Sequence, residues 1–250
     1  MSHGDPEDYF HTYPDVELPA LEKSSVCQVL MPSFEQAIKK RYPNVRTAVI
    51  GNVVPQYIEQ AQLDRKKEEY RIVFVGRLVK NHKRPHLLIG AFSRIADQFP
   101  DWKVELWGDN DNARYTKSLK EMIKKEKLED RILLKGATHN VAAVLKQADL
   151  FVLPSAYEGF GLSIAEGMSM GLPAIAYKNC AAVNELIKDG VTGCLCDDGA
   201  EALSKKMAYL MSNRNMRVDM GNSARQSMKN YASERIWRDW ESLFETIVAN

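Results

Sequence analysis

No run of about 18 apolar residues occurs anywhere in the 250-residue chain, so no segment has the make-up of a helix that spans a bilayer. The amino terminus, Met1-Ser2-His3-Gly4-Asp5-Pro6-Glu7-Asp8, lacks the positive stretch and the apolar stretch of a signal peptide. Cysteine is scarce. Cys27, Cys180, Cys194 and Cys196 are too few in 250 residues for a disulfide framework. Cys194 and Cys196 flank Leu195 and would share one face of a strand, but structural zinc pairs are spaced by about two to four residues. They read instead as buried thiols of a reduced, cytoplasmic protein. A charge excess is also missing: 34 Lys and Arg against 33 Asp and Glu leave a net charge of +1, which excludes a general coat for nucleic acid. Nor is this a disordered composition, with 45% hydrophobic and 27% charged residues.

What is present is a sequence of alternating elements. Residues 1–20 hold five acidic residues and no Lys or Arg, with Pro6, Pro14 and Pro19, and read as a loose surface wrap. A short strand over 26–31 is followed by a helix over 34–41 with Ser33 as its N-cap, then a second strand over 47–50. The polar stretch 57–69 separates this piece from the remainder of the chain. From Tyr70 the pattern is regular. Ile72-Val73-Phe74-Val75, Lys103 to Trp107, Ile132 to Leu134, Leu150 to Leu153, Pro173 to Ala176 and Gly193 to Cys196 read as strands. Between them lie helices beginning after Pro85 and near 113, 141, 161 and 181, and the chain closes with helices over 200–212, 215–229 and 233–248. Such alternation predicts an α/β fold, a parallel sheet with helices on both faces. Ligands of such sheets bind at the carboxyl ends of the strands, where helix N-termini aim backbone N–H groups at anions.

Two loops at that edge carry candidate chemistry. After the first strand of the regular region, Gly76-Arg77-Leu78-Val79-Lys80-Asn81-His82-Lys83-Arg84-Pro85 sets four cations before a helix. Gly76 permits a tight exit. Arg77 offers a fork for phosphate and Lys83 a point charge; a solvated basic loop is the other reading. After Leu153, the run Pro154 to Glu166 places Gly159 and Gly161 where backbone can approach a ligand, and residues 160–163 would present free N–H groups. Glu158 and Glu166 are carboxylates beside an anion site, costly unless partnered. Sugar hydroxyls are such partners, while a helix-dipole role is the alternative for Glu166. Together the loops describe a pocket for a diphosphate joined to sugars.

The run Glu158-Gly-Phe-Gly-Leu-Ser-Ile-Ala-Glu166, continued by Gly167-Met-Ser-Met-Gly171-Leu-Pro173, resembles the E-x7-E signature of retaining GT-B glycosyltransferases of group 1, also called family 4. Phe74-Val-Gly-Arg-Leu-Val, Ala148-Asp-Leu-Phe-Val-Leu-Pro-Ser155 and Asn184-Glu-Leu-Ile-Lys-Asp-Gly-Val-Thr-Gly193 resemble further segments of that family, as Val49-Ile-Gly-Asn52 resembles its interdomain segment. The likeness runs over about residues 25–250. It departs at His82, where the family often has lysine, and the lysine role falls on Lys83. It also departs at Gly51 and Val53 of the interdomain segment, and in length, since family members have two Rossmann-like domains.

The resemblance implies the Rossmann-like C-terminal half of a GT-B fold. Residues 1–56 would be the end piece of the N-terminal acceptor domain, 57–69 the linker, 70–230 the nucleotide-sugar-binding domain and 231–250 a crossover helix. It implies transfer of a sugar from a nucleotide-diphosphate sugar, a UDP-sugar by default, with retention of anomeric configuration and without a further cofactor. Glu166 would hold ribose hydroxyls and Glu158 donor-sugar hydroxyls. Arg77 and Lys83 would neutralise the leaving diphosphate at Gly76, helped by N–H groups along Gly159, Phe160, Gly161 and Leu162. The base would lie near Lys135 and Gly136. The acceptor is unassigned, a glycan or lipid-linked glycan of polysaccharide biosynthesis by analogy. As half of a larger or split enzyme the chain should transfer weakly or not at all. A sugar-nucleotide-binding module without transfer is the alternative, and an epimerase of the same fold a third.

Other signals are weaker. Asp109-Asn110-Asp111 has the form of a metal motif of a different fold but reads as a turn, and no metal site is expected. The basic loop lacks the interleaved aromatics of a nucleic-acid groove. Lys39-Lys40-Arg41 reads as a solvated helix end, with contact to anionic lipid at a membrane surface as the alternative. Trp237, Trp240, Phe244 and Ile247 on the last helix, and the open edges of the first two strands, should leave apolar surface exposed and promote self-association.

Overall fold

The computed structural model of the protein describes residues 23–109 and 112–249, together with residues 6, 20 and 21. The expected wrap over residues 1–20, apart from Pro6 and Ala20, lies outside the described residues.

Two sheets are present among them. The smaller pairs β1 (Cys27–Val29) with β2 (Thr47–Val49) in parallel, Cys27 opposite Thr47. The crossover between them is α1 (Pro32–Arg41). This helix begins earlier than the sequence pattern suggested. Pro32 takes the first helical turn, where its missing N–H costs nothing, so Ser33 is inside the helix and is not its N-cap. Its hydroxyl and N–H instead bond the Glu185 carboxylate, the N–H at 3.2 Å.

The larger sheet holds six parallel strands: β3 (Tyr70–Val75), β4 (Trp102–Trp107), β5 (Ile132–Gly136), β6 (Leu150–Leu153), β7 (Ala174–Tyr177) and β8 (Gly193–Cys196). Their spatial order is β5-β4-β3-β6-β7-β8. The chain thus starts in the middle, winds outward to one edge, returns to the middle and winds to the other. That is the doubly wound order of nucleotide-binding sheets, with its switch point between β3 and β6. Ile72, Val73 and Phe74 of β3 are fully buried, as expected of a strand covered on both faces.

The helices supply that cover. On one side, α2 (Pro85–Ser93) packs against α3 (Ala113–Lys125) and α7 (Ala200–Ser212). On the other, α4 (Val141–Gln147) lies on β3, and α5 (Leu162–Ser169) packs on β6 and on α8 (Arg214–Met228). Asn112 and Asn140 cap α3 and α4 by accepting from the N–H groups of Tyr115 and Ala143. Between β7 and β8 the expected helix over 181–188 shrinks to α6 (Val183–Leu186), whose N-cap Ala182 has φ +66°.

The stretch after β2 is not a free linker in this structure. The Val54 N–H donates to Tyr231 O at 2.9 Å, Ser169 Oγ to Pro55 O, Gln56 to Met228 O at 3.0 Å and the Ala61 N–H to Met170 O at 3.0 Å. These bonds lay residues 54–61 along α5 and α8. The last helix, α9 (Ser233–Val248), buries Ile236 but exposes Trp237 by 61%, Phe244 by 57% and Val248 by 86%, the uncovered apolar face that its sequence anticipated.

Candidate functional site

The switch point puts the ends of β3 and β6 side by side, and the two loops singled out from sequence leave from those ends. They are tied to each other at several points. The Ala156 N–H donates to His82 O at 2.8 Å. The His82 ring stacks on Tyr157, with centroids 4.4 Å apart and 7° between planes, and its Nε2 lies 2.8 Å from Tyr157 O. Arg84 donates to the carbonyls of Pro154 and Ser155 at 2.9 and 3.0 Å, pairs with Asp198 at 2.8 Å and lies over the Tyr177 ring. Arg84 therefore fastens the loops rather than facing a ligand, which removes it from the four cations counted at this edge.

Two candidate residues meet in the gap between the loops. Lys83 Nζ donates to Glu158 Oε1 at 2.5 Å, and both side chains are largely enclosed. His82 Nε2 is 3.8 Å from the same carboxylate oxygen. Burial pushes the His82 imidazole below its ordinary range; Glu158 opposes that shift, and Lys83 and Arg77 add to it. Behind the pair, burial lifts the Cys180 thiol to about 12, with the Glu158 charge contributing, so this cysteine is a neutral spectator. Arg77 is exposed, with no ion pair among the described residues, and its guanidinium is free to take an anion.

The N-terminus of α5 closes the other side. Gly161 is its N-cap at φ +88°, a left-handed conformation that a side chain strains, and a Cβ there would lie 2.8 Å from Val183 Cγ2. The N–H groups of Phe160, Gly161 and Leu162 are left without an acceptor among the described residues, as an anion site at a helix start requires. The Phe160 side chain is buried edge-on against Tyr231, 5.2 Å between centroids, and both rings abut Gly51. So Phe160 offers a ligand its backbone, not its ring. Glu166, one turn and a half further on, is half-buried, and its carboxylate makes no hydrogen bond or ion pair among the described residues. Burial raises its carboxyl above the ordinary glutamate value. The Tyr57 phenol is raised too, by burial first and by the Glu166 charge second, which sets Glu166 beside the stretch that succeeds β2.

Toward the outer edge of the sheet, Gly76, Gly108 and Gly136 stand at the ends of β3, β4 and β5. The Gly76 N–H bonds Trp107 O at 2.9 Å and the Gly108 N–H bonds Gly136 O at 2.8 Å. Lys135 and Gly136 are on the strand end itself and are exposed, Lys135 lying over the Trp107 ring at 5.2 Å. They lie on the edge strand β5, two strands from β3, and among the described residues no hydrogen bond, ion pair or ring contact joins them to the Lys83–Glu158 pair. Asn110 and Asp111 of the Asp-x-Asp run lie outside the described residues, and among the described ones no group of His, Cys, Asp or Glu could hold a metal. All four cysteines are buried. Lys39 pairs with Glu35 at 2.9 Å on the α1 surface, a solvated helix end.

A separate groove of about 920 Å³ runs between α4 and residues 56–62. Its charged groups are already satisfied: Lys67 with Asp149 at 2.7 Å, Arg71 with Gln147 at 2.6 Å, Lys146 with Glu59 at 2.6 Å. The unsatisfied N–H groups, the unpaired carboxylate and the free arginine are at the switch point, which on chemical grounds is the candidate site. The sequence reading missed His82 and Tyr157 as parts of it. The single extra residue in the basic loop was the signal, because it displaces lysine by one position and brings an imidazole against the facing loop.

The sequence matches the family described as Glycosyl transferases group 1 over residues 55–227. An uncharacterized glycosyltransferase of Haemophilus influenzae is 26% identical over 179 residues, 71% of this chain and 50% of that protein. N-acetyl-alpha-D-glucosaminyl L-malate synthase of Bacillus anthracis is 27% identical over 215 residues, 82% of this chain and 55% of that protein. Among solved structures, a mutant of S. aureus TarM, crystallised with fondaparinux, alpha-GlcNAc-glycerol and UDP, superposes with a TM-score of 0.80 at 24% identity, covering 90% of this chain and 44% of that one. At that identity the likeness establishes the fold, that of GT-B glycosyltransferases. The chain spans about half the length of each of these three proteins.

Proposed function

The chain belongs to the group 1 glycosyl transferases, and on that premise we propose that it supplies the donor-binding half of an enzyme that transfers a hexosyl group from a nucleotide-diphosphate sugar with retention of configuration. The observation that carries this reading is the convergence at the switch point of Lys83, Glu158, the open N–H groups before α5 and the unpaired Glu166. The diphosphate lies across the α5 N-terminus, against Lys83 and Arg77. Charge grows on it as the glycosidic bond breaks, and fixed donors aimed at growing charge lower the barrier most. Glu158 orients the sugar through its hydroxyls, and Glu166 accepts from the ribose. The base sits toward Lys135 and Gly136, on the exposed edge of the sheet. Retention of configuration and membership of family 4 are supported by the E-x7-E spacing from Glu158 to Glu166.

UDP is the base we assign first, in keeping with the UDP bound by S. aureus TarM. The acceptor, a glycan or polyol by the same analogy, is recognised outside residues 70–230. The exposed face of α9 is a surface for a partner domain or a second copy. A binding module without turnover is the second reading, and it predicts the same nucleotide binding.

The test is a thermal-shift titration with UDP, GDP, ADP and their sugar conjugates on the wild-type chain and on Glu166→Ala. Ligand at about a hundred times its dissociation constant stabilises by about 2.7 kcal/mol, which for a chain of this size moves the midpoint by about five to ten degrees. One nucleotide giving such a shift, abolished in Glu166→Ala, is the expected result. A flat response to every nucleotide rejects the donor site.

A further inference from the structure

The Lys83–Glu158 pair has two properties that bear on which ligand the site retains. It is nearly enclosed, with 13% and 8% of the two side chains exposed. Each group is also the nearest opposite charge of the other, at 2.5 Å, with His82 at 3.8 Å and stacked on Tyr157 as the outer wall. We propose that this pair makes the site discriminate the intact sugar nucleotide from the bare nucleoside diphosphate, because the two halves of the donor must replace the two halves of the pair together. The inference rests on the donor-site reading above and adds to it a basis for selectivity and release.

A diphosphate arriving at the α5 N-terminus draws the Lys83 ammonium toward its oxygens. If nothing else arrives, Glu158 is left as an enclosed carboxylate without a cation. Removing one partner of an enclosed ion pair is far more costly than the pair was stabilising. A sugar attached to the diphosphate corrects this, since its hydroxyls donate to the carboxylate that Lys83 has left. The intact donor therefore exchanges one set of partners for another, and the bare diphosphate exchanges one and orphans the other. The same asymmetry works in reverse after transfer. Once the sugar has gone, Glu158 recaptures Lys83 and the diphosphate loses a cation, which favours its departure.

Titration calorimetry on the full chain would compare UDP with UDP-glucose, GDP with GDP-mannose and ADP with ADP-glucose, in the wild type, Glu158→Gln and Lys83→Gln. The wild type should prefer a conjugate over its bare diphosphate by about tenfold or more. In Glu158→Gln the bare diphosphate should bind several-fold more tightly than in the wild type, because Lys83 is no longer engaged, and the preference should fall below about twofold. Lys83→Gln should weaken both ligands alike and keep the preference, and it carries the test should Glu158→Gln not fold. Equal weakening of both ligands in Glu158→Gln, or loss of the preference in Lys83→Gln, overturns the exchange while leaving the donor site intact. Failure of every ligand to bind the wild type overturns the donor site and the exchange with it.

Discussion

Two pairs of loops leave the carboxyl edge of the same sheet, and they solve opposite problems. At the switch point, the loops after β3 and β6 enclose charge: Lys83 and Glu158 face each other at 2.5 Å behind a stacked His82 and Tyr157. At the outer edge, the turns after β4 and β5 enclose backbone. A glycine stands at each strand end there, and the lysine at hand, Lys135, is exposed above the Trp107 ring. The difference comes from topology. At the switch point the crossovers depart in opposite directions, so the two strand ends open a crevice that long loops must fill. At the outer edge successive crossovers depart to the same side, and the strand ends close on each other.

The largest effect is expected where a side chain is forced between two backbones. Gly108 has φ +149°, and a Cβ built on it falls 1.9 Å from Gly76 O. Gly108→Ala must part the ends of β3 and β4 and break the bonds from Gly76 N–H to Trp107 O and from Leu78 N–H to Asp109 O. The expected loss is about 3 kcal/mol or more, since a backbone overlap cannot be relieved by a rotamer change. Urea unfolding checks it, and a loss under about 1 kcal/mol would mean that the two strand ends are not held together as described.

A second test weighs the two lysines directly. Lys83→Met strands Glu158 and should cost about 2 kcal/mol, less than a fully buried pair because both side chains keep some exposure. Lys135→Met removes one exposed contact to an aromatic face and should cost about 0.5 kcal/mol or less. Equal losses in paired unfolding curves would erase the distinction between the two loop pairs.

How much of this was legible beforehand differs between the same two regions. The strands from Tyr70 onward were readable because most are short, largely apolar runs, with Gly76, Gly108 and Pro154 directly after β3, β4 and β6, and burial on both faces leaves little other use for such runs. The run from Glu158 to Glu166 pointed to the candidate site through its glycines and carboxylates after a strand, and through its resemblance to the E-x7-E signature. What could not be read were contacts between residues remote in sequence. Ser33 looks like an N-cap from its neighbours alone, and only the proximity of Glu185, 152 residues away, gives its hydroxyl another partner. Arg84 counted as a ligand-edge cation until Pro154, Ser155 and Asp198 were seen to take its donors. His82 read as a departure from a pattern, and its stacking on Tyr157 exists only once β3 and β6 are neighbours.

The smallest effect bears on the remaining carboxylate. Glu158 has a cation, whereas Glu166 is half-buried without a partner among the described residues, and burial raises its carboxyl above the ordinary 4.5. The sign comes from linkage. The folded chain holds the Glu166 proton to higher pH than the unfolded chain does, so this group lowers stability as pH rises from the ordinary glutamate value through the raised one, and its full cost is present above that window. Glu166→Gln should therefore be more stable than the wild type at pH 7, with the gain closing as pH falls below about 4.5, when both states are protonated. Denaturation midpoints for the two proteins between about pH 4 and 8 measure it. A constant offset across that range would assign the gain to helix propensity or packing rather than to ionisation. A gain that grows through the window and is complete above it would show a carboxylate kept at a cost to the fold, as expected where a ligand hydroxyl is its missing partner.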